Sequence, residues 1–241
     1  MTFCIGVRVE AGLVVLSDTR VVTGSVRSRK SKLSTLTDGR SEAVVMTSGL
    51  RSVRDKVVAR VEDKLATDVE FDRFHELASV YGETLREVRV EDEEALEQGG
   101  LKFNSNAILA GRFVGDKYPV LMHVYPEGNW VEATDDAPYF IIGRSSYGKP
   151  ILDRLLTVKS TLDQAISLAY LAFDATRASA TDVDFPIDIG VQPRGQRDFT
   201  MRRFTEEDLA EVHRAWHDLL SSALDDLPTP WHELVQMEDR T

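Results

Sequence analysis

The hydrophobic pattern changes period once in the first hundred residues. Residues 3–9 (Phe-Cys-Ile-Gly-Val-Arg-Val) alternate apolar with small or polar side chains, and residues 13–17 (Leu-Val-Val-Leu-Ser) follow the turn Glu10-Ala11-Gly12. A period of two belongs to strands, so this pair predicts an N-terminal hairpin. Residues 33–37 and 42–47 predict another around Asp38-Gly39. Between them, residues 19–31 are rich in Ser, Thr, Arg and Gly and read as a loop or irregular strand. Helical spacing then takes over at Leu50, Val53, Val57, Val58, Val61 and Leu65. A second helical pattern runs from about Phe71 through Val88, turns acidic at Glu91-Asp92-Glu93-Glu94 and stops at Gly99-Gly100.

The second half repeats the grouping. Four short strands are expected near 105–114, 118–125, 129–133 and 138–142, punctuated by Gly115-Asp116 and Glu127-Gly128. Helices follow near 147–156 and 161–179, the latter apolar on most faces and so expected to be buried. Strands near 186–193 and 198–204 come next. Thr205-Glu206-Glu207-Asp208 resembles a capping box opening a last amphipathic helix to about Ala223. Elements grouped as strands, two helices, strands, two helices, strands and helix suggest packed layers rather than βαβ units. The expected fold is α+β, a four-layer αββα sandwich of two antiparallel sheets with helices outside. No repeat, low-complexity stretch or linker interrupts it, so residues 1–241 are expected to form one domain. The segment after Pro228 reads as a docking segment or a frayed end.

Composition narrows the setting. No apolar run approaches the ~20 residues of a membrane-spanning helix, and the N-terminus lacks the pattern of a secretory signal. A single cysteine, Cys4, rules out an internal disulfide and suits a reducing, cytoplasmic compartment; mid-strand, it reads as a small core residue. The net charge of -11 argues against nucleic-acid binding. Arg27, Arg29, Lys30 and Lys32 are a local exception, read as a solvated basic loop with a phosphate contact as the weaker alternative. No Gly-rich phosphate loop is present, so neither ATP use nor another cofactor is expected. His213 and His217 stand four apart on a helix, but Arg214-Ala215-Trp216 between them lacks the glutamate of a zinc-protease motif. They are expected to be ordinary helix histidines, not metal ligands.

Thr2 stands directly behind Met1. With Met1 removed it would carry a hydroxyl and a free α-amine, and such an amine titrates at about 7.7–8.0, close to working pH. Thr2, the hairpin behind it, Ser17-Asp18-Thr19-Arg20 and Lys32-Leu33 resemble the start of a proteasome β-subunit. Tyr147-Gly148-Lys149-Pro150-Ile151-Leu152-Asp153-Arg154 resembles more narrowly the Anbu ("ancestral β-subunit") family. So do Phe173-Asp174-Ala175-Thr176 and Phe185-Pro186-Ile187-Asp188. A threonine with no propeptide before it also suits that family, and the resemblance covers nearly the whole chain.

The resemblance implies the αββα sandwich of N-terminal nucleophile (Ntn) hydrolases, threonine-type cleavage of peptide bonds, and assembly of identical copies into rings or open helical rings. It implies Thr2 as nucleophile, with Asp18 orienting and balancing a lysine. Lys32 would lower the pKa of the Thr2 hydroxyl or accept its proton; Lys30 is the rival. Thr47-Ser48-Gly49 falls where backbone N–H groups would hold the oxyanion. Each also has a plainer reading: a common second residue, an Asp closing a strand, a basic loop, a strand-to-helix turn.

Two positions depart from the proteasome pattern. Gly143 is followed by Arg144 where a serine is expected, with Ser145 and Ser146 beyond, and Asp182 in Ala180-Thr181-Asp182-Val183-Asp184 has no matching serine. The expected function is hydrolysis of peptide or other amide bonds through an acyl-enzyme on Thr2. The alternatives are an Ntn amidase of narrow specificity and a self-assembling scaffold or binding ring with little peptidase activity, which the departures favour. Peptides or proteins are the expected substrates, nucleic acid and membrane are not expected partners, and an unfoldase partner stays open.

Overall fold

The computed structural model describes residues 2–23, 26–66 and 71–231, with side chains at all of these except 21–29. Of the segment after Pro228, residues 232–241 lie outside the described residues. β1 (Phe3–Val9) and β2 (Gly12–Asp18) pair antiparallel with Cys4 opposite Ser17. All of β2 and nearly all of β1 are buried. Both strands are covered on two faces, so β2 carries large apolar residues at both parities, while the second face of β1 is filled by the small Cys4 and Gly6. Phe3 meets Phe173 of α4 (Leu162–Ser179) edge-on at 6.1 Å between ring centroids, while Cys4 joins Met46, Ile108 and Leu121 on the opposite face.

That opposite face is a second sheet. β5 (Leu33–Thr37), β6 (Glu42–Gly49), β7 (Ser105–Gly111), β8 (Val120–Val124) and β9 (Trp130–Glu132) run antiparallel in that order. The first sheet has the order β10-β1-β2-β11-β12, where β10 is Tyr139–Gly143, β11 Ile187–Pro193 and β12 Thr200–Phe204. The helices α1 (Arg51–Leu65) and α2 (Phe74–Gln98) cover the β5–β9 sheet through Val57, Val61, Leu77, Tyr81 and Leu85. Helix α4, joined by α3 (Lys149–Leu155), covers the other sheet. The result is the αββα order of layers.

Several boundaries differ from the sequence expectation, each for a local reason. β7 ends at Gly111, not 114, because the buried Asp116 carboxylate accepts the N–H groups of Phe113 and Phe74 and pulls residues 112–116 into a turn. α2 begins at Phe74, not Phe71, because the Glu76 carboxylate accepts the Asp72 and Arg73 N–H groups and holds them outside the helix. The stretch 19–31 contains a small separate hairpin, β3 (Arg20–Thr23) with β4 (Val26–Arg29). α4 buries one face rather than most: Leu168, Ala169, Ala172, Phe173 and Thr176 are inside, whereas Gln164 and Ser167 are exposed.

The chain divides into two compact units at Phe204/Thr205. In the second, Thr205 and Asp208 exchange hydrogen bonds as the capping pattern anticipates, but they open a 3-10 turn at Glu207–Leu209 before α5 (Ala210–Asp225). Val212, Leu219, Leu220 and Leu224 of α5 are exposed, as are His213 and His217. Among the described residues no helix is long and apolar enough to cross a membrane, and no cluster of three or more His, Cys, Asp or Glu could hold a metal ion.

The first sheet is anchored to α4 by the ring cluster Phe3, Tyr170, Phe173 and Phe185. Phe173→Ala should lower unfolding free energy by about 3–5 kcal/mol. Val90→Ala, at a site 85% exposed, should change it by no more than about 0.5 kcal/mol. Urea unfolding of the two variants checks the contrast.

Candidate active site

Thr2 is held by its own backbone. Its carbonyl accepts the N–H of Arg144 at 2.8 Å, continuing the pairing of β1 with β10, in which Phe3 lies opposite Gly143. Gly143 has φ +90°, and a Cβ there would run into the Thr2 carbonyl. Glycine is therefore required at that end of β10, and residue 144 contributes its main chain to positioning Thr2 whatever its side chain is.

Asp18 closes β2 directly opposite Phe3. Its Oδ1 accepts two hydrogen bonds, from the Phe3 N–H at 2.8 Å and from Lys32 Nζ at 2.6 Å. Asp18 is fully buried and Lys32 is 6% exposed, so this is an ion pair withdrawn from water. Its other oxygen, Oδ2, is buried with no hydrogen-bond partner among the described residues. Burial pushes the Asp18 carboxyl above its ordinary value, against the pull of the Lys32 charge and of the two hydrogen bonds. Lys32 in turn immediately precedes β5, where its carbonyl faces the Thr47 N–H of β6 at 3.4 Å. Lys30, the rival lysine, is exposed and lies 3.9 Å from Asp55.

β6 runs out beside Thr2. Thr47, Ser48 and Gly49 line one cavity of about 590 Å³ together with Thr2, Lys32 and Gly143. Gly49 has φ +121°, and a Cβ would meet the Asn104 carbonyl. The Leu50 N–H donates to that same carbonyl, so the chain makes a sharp exit from β6 into α1. Asn104 and Asn106, at the start of β7, complete this wall.

The two departures from the proteasome pattern meet in space. The Arg144 guanidinium lies 3.4 Å from the Asp182 carboxylate. Burial raises the Asp182 carboxyl, but Arg144 is among the groups that pull it down, and the net position is below the ordinary carboxylate range. Ser145 does not line the cavity; its carbonyl accepts the Lys149 N–H in the turn before α3. Arg20, which closes the Ser17-Asp18-Thr19-Arg20 motif, also reaches the cavity, as do Arg51, Arg54, Asn104 and Asn106, which had no signal in the sequence beyond polarity. Arg144 and Asp182 did carry one, since an arginine stood where a serine was expected and the expected aspartate lacked its serine. The side chains of Arg27 and Arg29 lie outside the described residues.

The proteasome-subunit family model matches residues 2–191. A Gly-1 mutant of Anbu from Hyphomicrobium sp. strain MC1 is 33% identical with a TM-score of 0.86, over 95% of this chain and 98% of that one. The chain belongs to the Anbu branch of the proteasome family. Anbu from Yersinia bercovieri is 32% identical with a TM-score of 0.85, over 94% of this chain and 97% of that one. A helical assembly of the Anbu complex from Pseudomonas aeruginosa is 31% identical with a TM-score of 0.87, over 95% and 98%. No curated protein sequence matches the chain.

In this Anbu chain the Lys32–Asp18 pair joins β5 to the start of β1. Lys32→Met strands a buried carboxylate and should destabilise the fold by about 3–5 kcal/mol. Removing both charges in Lys32→Met/Asp18→Asn should cost less than the single change. A double-mutant cycle by chemical denaturation checks this; a double loss equal to the sum of the two single losses would show that the pair is not a buried unit.

Proposed function

We propose that the chain is a threonine-type hydrolase of peptide bonds, with Thr2 as nucleophile after removal of Met1. The observation that carries this reading is the buried Lys32–Asp18 pair, whose shared oxygen also receives the N–H of the residue next to Thr2. In this reading Thr2 Oγ attacks the scissile carbonyl while its proton passes to the α-amine. The Lys32 ammonium stabilises the developing alkoxide, and Asp18 holds Lys32 in place. Backbone N–H groups at the end of β6, around Ser48 and Gly49, face the oxyanion. The protonated amine then delivers its proton to the leaving amine, and water hydrolyses the ester on Thr2.

Asp182, its charge shared with Arg144, is assigned the task of holding the α-amine, which the proteasome gives in part to serines. Ser145 has no part in this reading. Identical copies assemble into a ring or open helical ring, as the helical assembly of the Pseudomonas aeruginosa relative supports. The single cysteine, buried and free, suits a cytoplasmic setting.

Intact mass before and after exposure to an uncharged peptide epoxyketone tests the proposal. Expected are loss of Met1 and one adduct per chain, retained in Thr2→Ser and absent in Thr2→Ala. A trimmed, assembled protein that never labels would overturn hydrolysis and leave the scaffold ring.

A further inference from the structure

The cavity beside Thr2 is cationic in a chain whose net charge is -11. Arg20, Lys30, Arg51 and Arg54 join Lys32 on its wall, and none of the described lining residues is acidic. The neighbouring carboxylates offset only part of this charge. Asp18 is taken by Lys32. Asp184 is shared between Arg20 at 3.0 Å and Arg177 at 2.9 Å. Asp55 alone serves Lys30 at 3.9 Å, Arg51 at 3.1 Å and Arg54 at 3.4 Å. On the cavity wall itself, five cations stand against these three carboxylates among the described residues.

The excess is placed where it acts strongly. The side chains of Arg20 and Arg54 are only 16% and 15% exposed, so water screens them less than it screens surface charges. The start of α1 adds to the same potential. Its N-cap, Leu50, has no side-chain cap and its first turn has no acidic residue, so neither offsets the positive end of the helix dipole. A cavity of about 590 Å³ has room for an extended side chain next to the hydroxyl of Thr2.

We infer that this cavity selects a substrate carboxylate: the acidic side chain, Asp or Glu, of the residue whose carbonyl Thr2 attacks. The inference rests on the threonine-hydrolase reading. An anionic side chain is attracted to the unpaired excess around Asp55, and a Lys or Arg side chain is repelled by it, so the same wall both favours one class and rejects the other.

Three peptide epoxyketones that differ only in that side chain, carrying Glu, its uncharged isostere Gln, or Lys, separate the possibilities. The rate of Thr2 labelling should fall in the order Glu, Gln, Lys, with Glu ahead of Gln by about tenfold at low salt. The margin should shrink as ionic strength rises. Lys30→Gln/Arg51→Gln changes two side chains that are 42% and 60% exposed and so leaves the fold in place. It should bring the Glu-to-Gln ratio close to one. Labelling by the Gln compound without preference for Glu would overturn the selectivity and leave the hydrolase standing. A Glu preference that ignores both salt and the double variant would overturn the role of this wall. Labelling by none of the three would remove the hydrolase and the selectivity together.

Discussion

One oxygen atom of Asp18 joins two parts of the chain that must meet for this site to exist. It accepts the Phe3 N–H at the start of β1 and the Lys32 ammonium at the start of β5. These belong to different sheets, so the contact ties the layers together at the end where Thr2 emerges. A carboxylate so deeply buried is stable only with close donors, and a buried lysine only with a close acceptor. Each partner therefore makes the other tolerable, and their mutual need fixes the cation beside Thr2.

Around this pair the positioning is done by main chain more than by side chains. The Arg144 N–H holds the Thr2 carbonyl, and Gly143 allows β10 to come close enough for it. Gly49 performs the matching task where β6 turns into α1 against the Asn104 carbonyl. Backbone contacts of this kind survive substitution of neighbouring side chains. This explains how an arginine can stand after Gly143 without disturbing Thr2: its guanidinium turns toward Asp182 while its N–H keeps the strand pairing.

The layer order was legible because the hydrophobic period reports which faces are covered. Boundaries were less so: the end of β7 depends on Asp116 reaching back to Phe74, a contact across 42 residues that no local window contains. Thr2 stood out by its place behind Met1, but Asp18 and Lys32 were named only through resemblance to a family, since an aspartate closing a strand and a lysine in a basic loop are individually commonplace. The structure brings these three together, and places Lys30 at the rim instead. The cationic wall was legible only in fragments, as Arg20 in its motif and Lys30 in its basic stretch. Arg20, Lys30, Arg51 and Arg54 come from a strand, a loop and a helix, and their shared dependence on Asp55 and Asp184 exists only in three dimensions.

The central claim is that the Thr2 hydroxyl, and not another nucleophile, carries the acyl group. Rapid quenching after exposure of the trimmed protein to an activated ester, followed by peptide mapping, tests it most directly. One acyl group per chain is expected on Thr2 Oγ, released by hydroxylamine as an ester is. An acyl group found only on an amine, stable to hydroxylamine, or none on the N-terminal peptide, would contradict it.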